Sequence, residues 1–151
     1  MVTDVQYACS REHIPETKNI RTWVAAAVPA SRLGAELTVR FVDVDESRDL
    51  NSQFRHQDKP TNVLSFPADL PPGVAVNLLG DIVVCAPVAL AEAVEQNKSA
   101  RAHFAHLVVH GTLHLLGYDH VDDAQAMVME GLERTILAEL GFSDPYLVTK
   151  A

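Results

Sequence analysis

Cysteine is scarce. Cys9 and Cys85 are the only two in 151 residues, they stand far apart, and they form no C-x-x-C pair. That excludes a disulfide framework and a cysteine zinc site, and two reduced, partly buried thiols are expected instead. Long apolar runs are missing as well. The longest, such as "WVAAAVPA" (23–30), fall short of the ~18 residues needed to cross a bilayer and are interrupted by proline. The first residues, "MVTDVQYACSREH", place Asp4, Arg11 and Glu12 where a secretory signal needs a basic start and an apolar run, so a cytoplasmic protein with no membrane partner is expected. Positive charge is the third shortage: 12 Lys and Arg against 20 Asp and Glu give a net charge of -8. Phosphate neutralisation supplies most of the affinity of nucleic-acid binders. A nucleic-acid site is therefore compatible with this chain only if cations gather in one cleft or a metal carries the charge.

What is present is enough for one core. The chain is 48% hydrophobic and 21% charged, and residues 1–151 read as a single domain without repeats or low-complexity tracts. "TDVQYA" (3–8) reads as a short strand, and Ile20, Trp23, Val24, Ala27 and Val28 recur at helical spacing before Pro29. "AELTVRFVDVD" (35–45) alternates Leu37, Val39 and Phe41 with Thr38 and Arg40, the period of a half-buried strand. Asp45 is expected to cap a helix through "ESRDLNSQFR" with Leu50 and Phe54 on one side, and "HQDKPT" is a polar turn. "NVLSF" (62–66) is a strand stopped by Pro67, "ADLPPGVAVN" a loop, and "GDIVVC" (80–85) a strand covered on both faces. Three helices complete the pattern. The first starts near Pro87 with Leu90 and Val94 aligned, and the second runs from about Ser99 to Leu116. The third runs from about Asp122 to Leu140, burying Met129, Leu132, Ile136 and Leu140 before Gly141. The expected fold is α+β: a roughly four-stranded mixed sheet with helices mainly on one side, and a metal site on a helix of the C-terminal half.

That metal site is "HGTLHLLGYDH" (110–120). His110 and His114, four apart on a helix, project from one face and can meet a single ion. Gly117 falls where the helix should end, since glycine takes the left-handed conformation that reverses the chain, and His120 can then return to the same ion. Three neutral imidazoles leave one tetrahedral position open, the arrangement of a catalytic zinc rather than a closed structural one. Nickel and copper also favour imidazole. His103 and His106, earlier on the same helix, lack a following glycine stop and third ligand and read as core groups or supports of the ligands. The spacing equals that of the H-E-x-x-H-x-x-G-x-x-H metallopeptidases, in which the glutamate is the general base. Gly111 stands at that position here, which makes a metallopeptidase-like hydrolase the second choice. A glycine in mid-helix costs ~1 kcal/mol against alanine, so either the site or a tight crossing against a strand must need it.

Together with "RHQDKPTNVLSFP" (55–67) and "LLGDIVVC" (78–85), the histidine motif resembles the YbeY family of bacterial endoribonucleases, in that order and spacing across the central and C-terminal two-thirds of the chain. The resemblance implies zinc, one ion per chain, held by His110, His114 and His120, with Arg55 as the basic residue of the active cleft. It implies cleavage of single-stranded RNA rather than DNA, maturation of the 3′ end of small-subunit rRNA, and ribosome quality control. The implied partners are the small ribosomal subunit and ribosome-assembly factors. A non-catalytic assembly factor with a structural zinc is a third reading. Two positions depart from the family pattern: Asn62 stands for an aspartate, and His56 for a glycine. A guanidinium such as that of Arg55 can grip phosphate through two parallel hydrogen bonds, and Lys59 can assist as a point charge or remain a solvated turn residue. Asp119 and Asp81 are each either a support for the site or a solvated carboxylate.

Overall fold

A computed structural model describes residues 2–32, 34–70 and 77–146. Residues 71–76 of the expected loop at 68–77 lie outside them. Four strands, β1 (Val2–Ala8), β2 (Glu36–Val42), β3 (Val63–Pro67) and β4 (Leu78–Cys85), form one sheet in the order β1-β2-β4-β3. β1 and β4 run parallel to β2, and β3 closes one edge antiparallel to β4. The sheet is therefore mixed, as the alternation of strand and helix patterns implies. Pro67 sits inside β3 rather than ending the chain's pairing before it; an edge strand has a free side on which a missing N–H costs nothing.

The described residues form five α-helices: α1 (Thr17–Ala27), α2 (Val44–Arg55), α3 (Ala86–Glu95), α4 (Ala100–Leu115) and α5 (Asp123–Glu139). α4 is the centre of the molecule. It packs on β3 and β4 and against α1, α3 and α5, and buries residues around most of its circumference, from His103 and Phe104 to Leu113 and Leu115. A helix apolar on nearly all sides has to be enclosed in this way. The main core joins Leu37, Val39 and Phe41 of β2 and Ile82 and Val84 of β4 to Trp23 of α1, Phe104 and Val108 of α4 and Leu137 of α5. Alternation sends Val42, Val83 and Cys85 to the other face, where Leu50 of α2 joins them. Helices thus lie mainly on one side, with α2 alone opposite. Cys85 is buried and Cys9 half-buried, both as free thiols.

Three sequence expectations are corrected. α2 begins two residues early: Asp43, extended and directly after β2, holds the N-cap position without a side-chain bond, and Asp45 falls in the first turn, where a carboxylate faces the positive end of the helix. In α3 the buried face is Ala86, Ala89 and Ala93, while Val94 is 77% exposed; small side chains let α3 lie close to α4. In α5 two of the four expected residues, Met129 and Ile136, are buried, and Glu133 and Leu137 replace the other two. Met129, Glu133, Ile136 and Leu137 are buried, and Leu132 and Leu140 only partly so.

α2 ends at His56, which is exposed and has φ of 58°. That left-handed position favours glycine, the residue the family pattern has here. His56 thus acts as a helix stop with its ring in solvent.

Candidate metal centre and active cleft

The ends of α4 are set by its sequence. Ser99 caps the start, its hydroxyl accepting from the Ala102 N–H at 3.1 Å. At the other end Gly117 takes φ of 103°. The Tyr118 N–H bonds the Leu113 carbonyl at 3.1 Å and the Gly117 N–H bonds that of His114 at 3.0 Å, the pair of bonds that closes a helix through a left-handed glycine. The reversal carries His120 back beside the helix. The rings of His110, His114 and His120 stand with centroids 4.6, 5.0 and 5.5 Å apart, and each offers a nitrogen within 4.8 Å of the other two.

This donor set fits a metal ion. The His110 and His114 Nε2 atoms face each other at 3.1 Å, and two nitrogens bound tetrahedrally to zinc at ~2.0–2.1 Å each are separated by a little over ~3 Å. Burial, then the neighbouring His110 and His120, lowers the pKa of His114, which favours the neutral ring with a free lone pair. His110 and His114 are half-buried, and the His120 side chain is 55% exposed. The outer side of the triangle is thus open to solvent.

The histidines form one wall of a cleft of about 700 Å³, and Arg55, Asn62 and Ser65 line the other. Arg55 is the last residue of α2, and its Nη2 donates to the Ser65 carbonyl of β3 at 3.0 Å. The bond to the sheet therefore holds a guanidinium in the cleft that the three imidazoles also line. Asn62 is fixed at both ends: its Oδ1 accepts from the Val63 N–H at 2.7 Å and its Nδ2 donates to Glu92 at 3.0 Å. Glu92 also bonds the buried His103 ring at 2.9 Å. An aspartate at position 62 would face the Glu92 carboxylate with like charge, so asparagine suits this neighbourhood. Asp119 lines the cleft and accepts from the His120 N–H at 2.8 Å, with its carboxylate 3.9 Å from the His120 ring. Lys59 is exposed and does not line the cleft. Asp81 faces a groove on the opposite side of the sheet.

Gly111 has a packing reason. A Cβ there would stand 2.8 Å from Ile82 Cγ2, 3.3 Å from Ile82 Cγ1 and 3.3 Å from the Ser65 hydroxyl. The glycine lets α4 lie against β4 and β3, which brings His110 and His114 to the cleft opposite Arg55. Because isoleucine branches at Cβ, rotating Ile82 exchanges one clashing carbon for another. Gly111→Ala is expected to destabilise the fold by about 1–2 kcal/mol, overpacking of ~1–3 kcal/mol being offset in part by helix propensity of up to ~1 kcal/mol. The midpoint of urea unfolding measures it, and a more stable alanine variant contradicts the packing account.

Glu133 and Tyr146 escape a reading of the sequence. Glu133 is fully buried beneath the centre and contacts His110, His106 and the Tyr146 hydroxyl. Burial alone would raise its pKa; the nearby His106 ring and the hydrogen bonds from His110 and Tyr146 outweigh that and hold it at about 2. The stabilisation from this depressed pKa is present above the ordinary value of 4.5 and is lost as pH falls through about 2. A glutamate on the apolar stripe of α5, four residues after Met129, was the available signal. Tyr146 follows the helix and had none.

Among the described residues no helix is long and apolar enough to cross a membrane. The family model for Endoribonuclease YbeY matches residues 5–141. An Endoribonuclease YbeY of Cellvibrio japonicus is 51% identical over 144 residues, covering 95% of this chain and 81% of that protein. Among solved structures, a solution structure of a Thermotoga maritima protein matches with a TM-score of 0.59 at 27% identity, covering 97% of this chain and 99% of the other. By its sequence along almost its whole length, and by the fold that sequence builds, the chain belongs to the YbeY endoribonuclease family.

Proposed function

We propose that this protein is a zinc-dependent endoribonuclease that cleaves single-stranded RNA in the cleft between α4 and β3. One zinc per chain is held by His110, His114 and His120, and Arg55 is the catalytic cation. The observation that carries the reading is the shared cleft: a guanidinium and three convergent imidazoles face one space. A divalent cation bound there supplies two positive charges beside a phosphodiester, with the Lewis-acid chemistry that favours its hydrolysis. The chain's own groups do the rest. The Arg55 fork grips a non-bridging phosphate oxygen and meets the negative charge that grows on it during cleavage. The Ser65 carbonyl holds one arm of that fork, so less freedom is lost when substrate binds. The three rings, packed on α4 and its terminal turn, keep their spacing without substrate.

The physiological substrate in this reading is rRNA, at the 3′ end of the small-subunit RNA, with a further part in ribosome quality control. The small ribosomal subunit and ribosome-assembly factors are the partners, in the cytoplasm. Family membership supports it. A net charge of -8 also suits a protein that finds its RNA on a particle rather than by general attraction to phosphate.

A peptidase is disfavoured by Gly111, since no carboxylate fits where a peptidase carries its base. Zinc-loaded protein offered an unstructured RNA, DNA of the same sequence and casein is expected to cut only the RNA. Casein digestion without RNA cleavage favours the peptidase. Failure to cut any of them favours an assembly factor whose zinc is structural.

A further inference from the structure

We propose that Glu133 and Tyr146 act as positioning residues that fix the proton on Nδ1 of His110 and thereby set the affinity of the centre for its metal. The inference rests on the three-histidine reading above. An imidazole has two nitrogens and, when neutral, one proton; only the nitrogen without it can bind a metal. Nε2 of His110 faces His114 at 3.1 Å. Nδ1 faces Glu133 Oε1 at 2.5 Å. An ionised carboxylate can only accept, so Nδ1 carries the proton and the Nε2 lone pair is turned toward the other two ligands. The negative charge beyond the ring also strengthens it as a donor to the metal.

Glu133 is itself held in place. Its other oxygen accepts from the Tyr146 hydroxyl, and His106 Nε2 stands 3.6 Å from Oε1 and 3.3 Å from the Tyr146 oxygen. Glu133 is 0% exposed, so these groups replace the water the carboxylate lost. Tyr146 is pinned from the far side. Its N–H donates to Asp144 at 2.8 Å, Asp144 pairs with Arg134 at 3.0 Å, and the Arg134 guanidinium lies 5.2 Å from the Tyr146 ring centre. Tyr146 lies beyond residues 5–141, the stretch the family model matches. A residue after the last helix, outside the cleft lining, thus reaches the buried side of a metal ligand.

His106, His110 and Glu133 also have donor atoms within 4.8 Å of one another. A second ion there would have to displace the Nδ1 proton that bonds Glu133 Oε1, so the proposal requires a single site.

The test compares wild type, Glu133→Gln and Tyr146→Phe by zinc competition against a chromophoric chelator. Proton NMR of the metal-free chains records the downfield Nδ1 resonance of a histidine bound to a carboxylate, and circular dichroism reports folding. Glu133→Gln is expected to lower zinc affinity about 10–100-fold and to remove the His110 resonance. Tyr146→Phe should shift both in the same direction by less. A part in packing alone would lower the melting temperature and leave the affinity of the folded protein unchanged. A folded Glu133→Gln variant with wild-type affinity and resonance overturns the proposal, as does uptake of two zinc ions per chain. If that variant does not fold, Tyr146→Phe decides by the same two readouts. A wild type that takes up no zinc overturns the three-histidine reading, whereas a wild type without the downfield resonance overturns the relay.

Discussion

His114→Ala is expected to lose both its zinc and its RNA cleavage. Two imidazoles remain, and one of them, His120, sits on an exposed turn. His114 stands between the other two ligands, with ring centroids 4.6 Å from His110 and 5.0 Å from His120. Without it two protein ligands remain, one short of the three that a catalytic zinc site uses, and the affinity of the centre collapses. Stability should change far less than function. The ring is half-buried beside solvent, and alanine is the best helix former, so a cost of ~1 kcal/mol is typical of such a site. Metal analysis after dialysis, with cleavage of unstructured RNA, reads the outcome. A variant that keeps full cleavage without metal removes the basis for the proposed chemistry.

Arg55→Ala should leave the zinc in place and lower kcat about 10²–10³-fold, the loss typical when one preorganised donor to a developing oxyanion is removed. The electrostatics of the cleft make this loss large. Arg55 is the only lysine or arginine among the described residues lining it, and Asp119 lies there too. Lys59 is exposed and is not among the described residues that line the cleft. Arg55 is exposed and makes one hydrogen bond to backbone, so stability should stay within ~0.5 kcal/mol. Arg55→Lys separates charge from geometry: an ammonium keeps the point charge but loses the two-pronged grip, and an intermediate kcat is expected. Single-turnover rates at matched zinc occupancy make the comparison. If Arg55→Ala cleaves at the wild-type rate, Arg55 has no part in the chemistry.

The histidine spacing made the centre legible because helix geometry and a glycine stop are local. His110, His114 and Gly117 lie within two turns of chain, and His120 follows the reversal that Gly117 makes. The strand and helix order was legible for a similar reason: β2 alternates cleanly, and α1 presents its apolar residues on one stripe. Long-range packing was not. For Gly111 the sequence left the site and a tight crossing against a strand both open, and only the fold brings Ile82 and Ser65 of distant strands against it. Glu133 was hidden because a charge on an apolar stripe gains its meaning only from what packs opposite, here three polar groups from α4 and the tail. Val94 was misplaced because α3 meets α4 through alanines, a contact whose small side chains leave little hydrophobic signal. Asn62 shows how the surroundings give a departure from the family pattern its sense. Read alone it is a lost charge; beside Glu92 it is a donor where an aspartate would repel.

The most direct measurement is a zinc titration of cleavage. The protein is stripped with a chelator, zinc is returned in increments, and bound metal and the rate of cutting an unstructured RNA are followed on the same samples. The account predicts no cleavage by the stripped protein and a rate that climbs in proportion to bound zinc until one ion per chain is reached. Cleavage by the stripped protein at the full rate, or zinc that binds without restoring any, contradicts it.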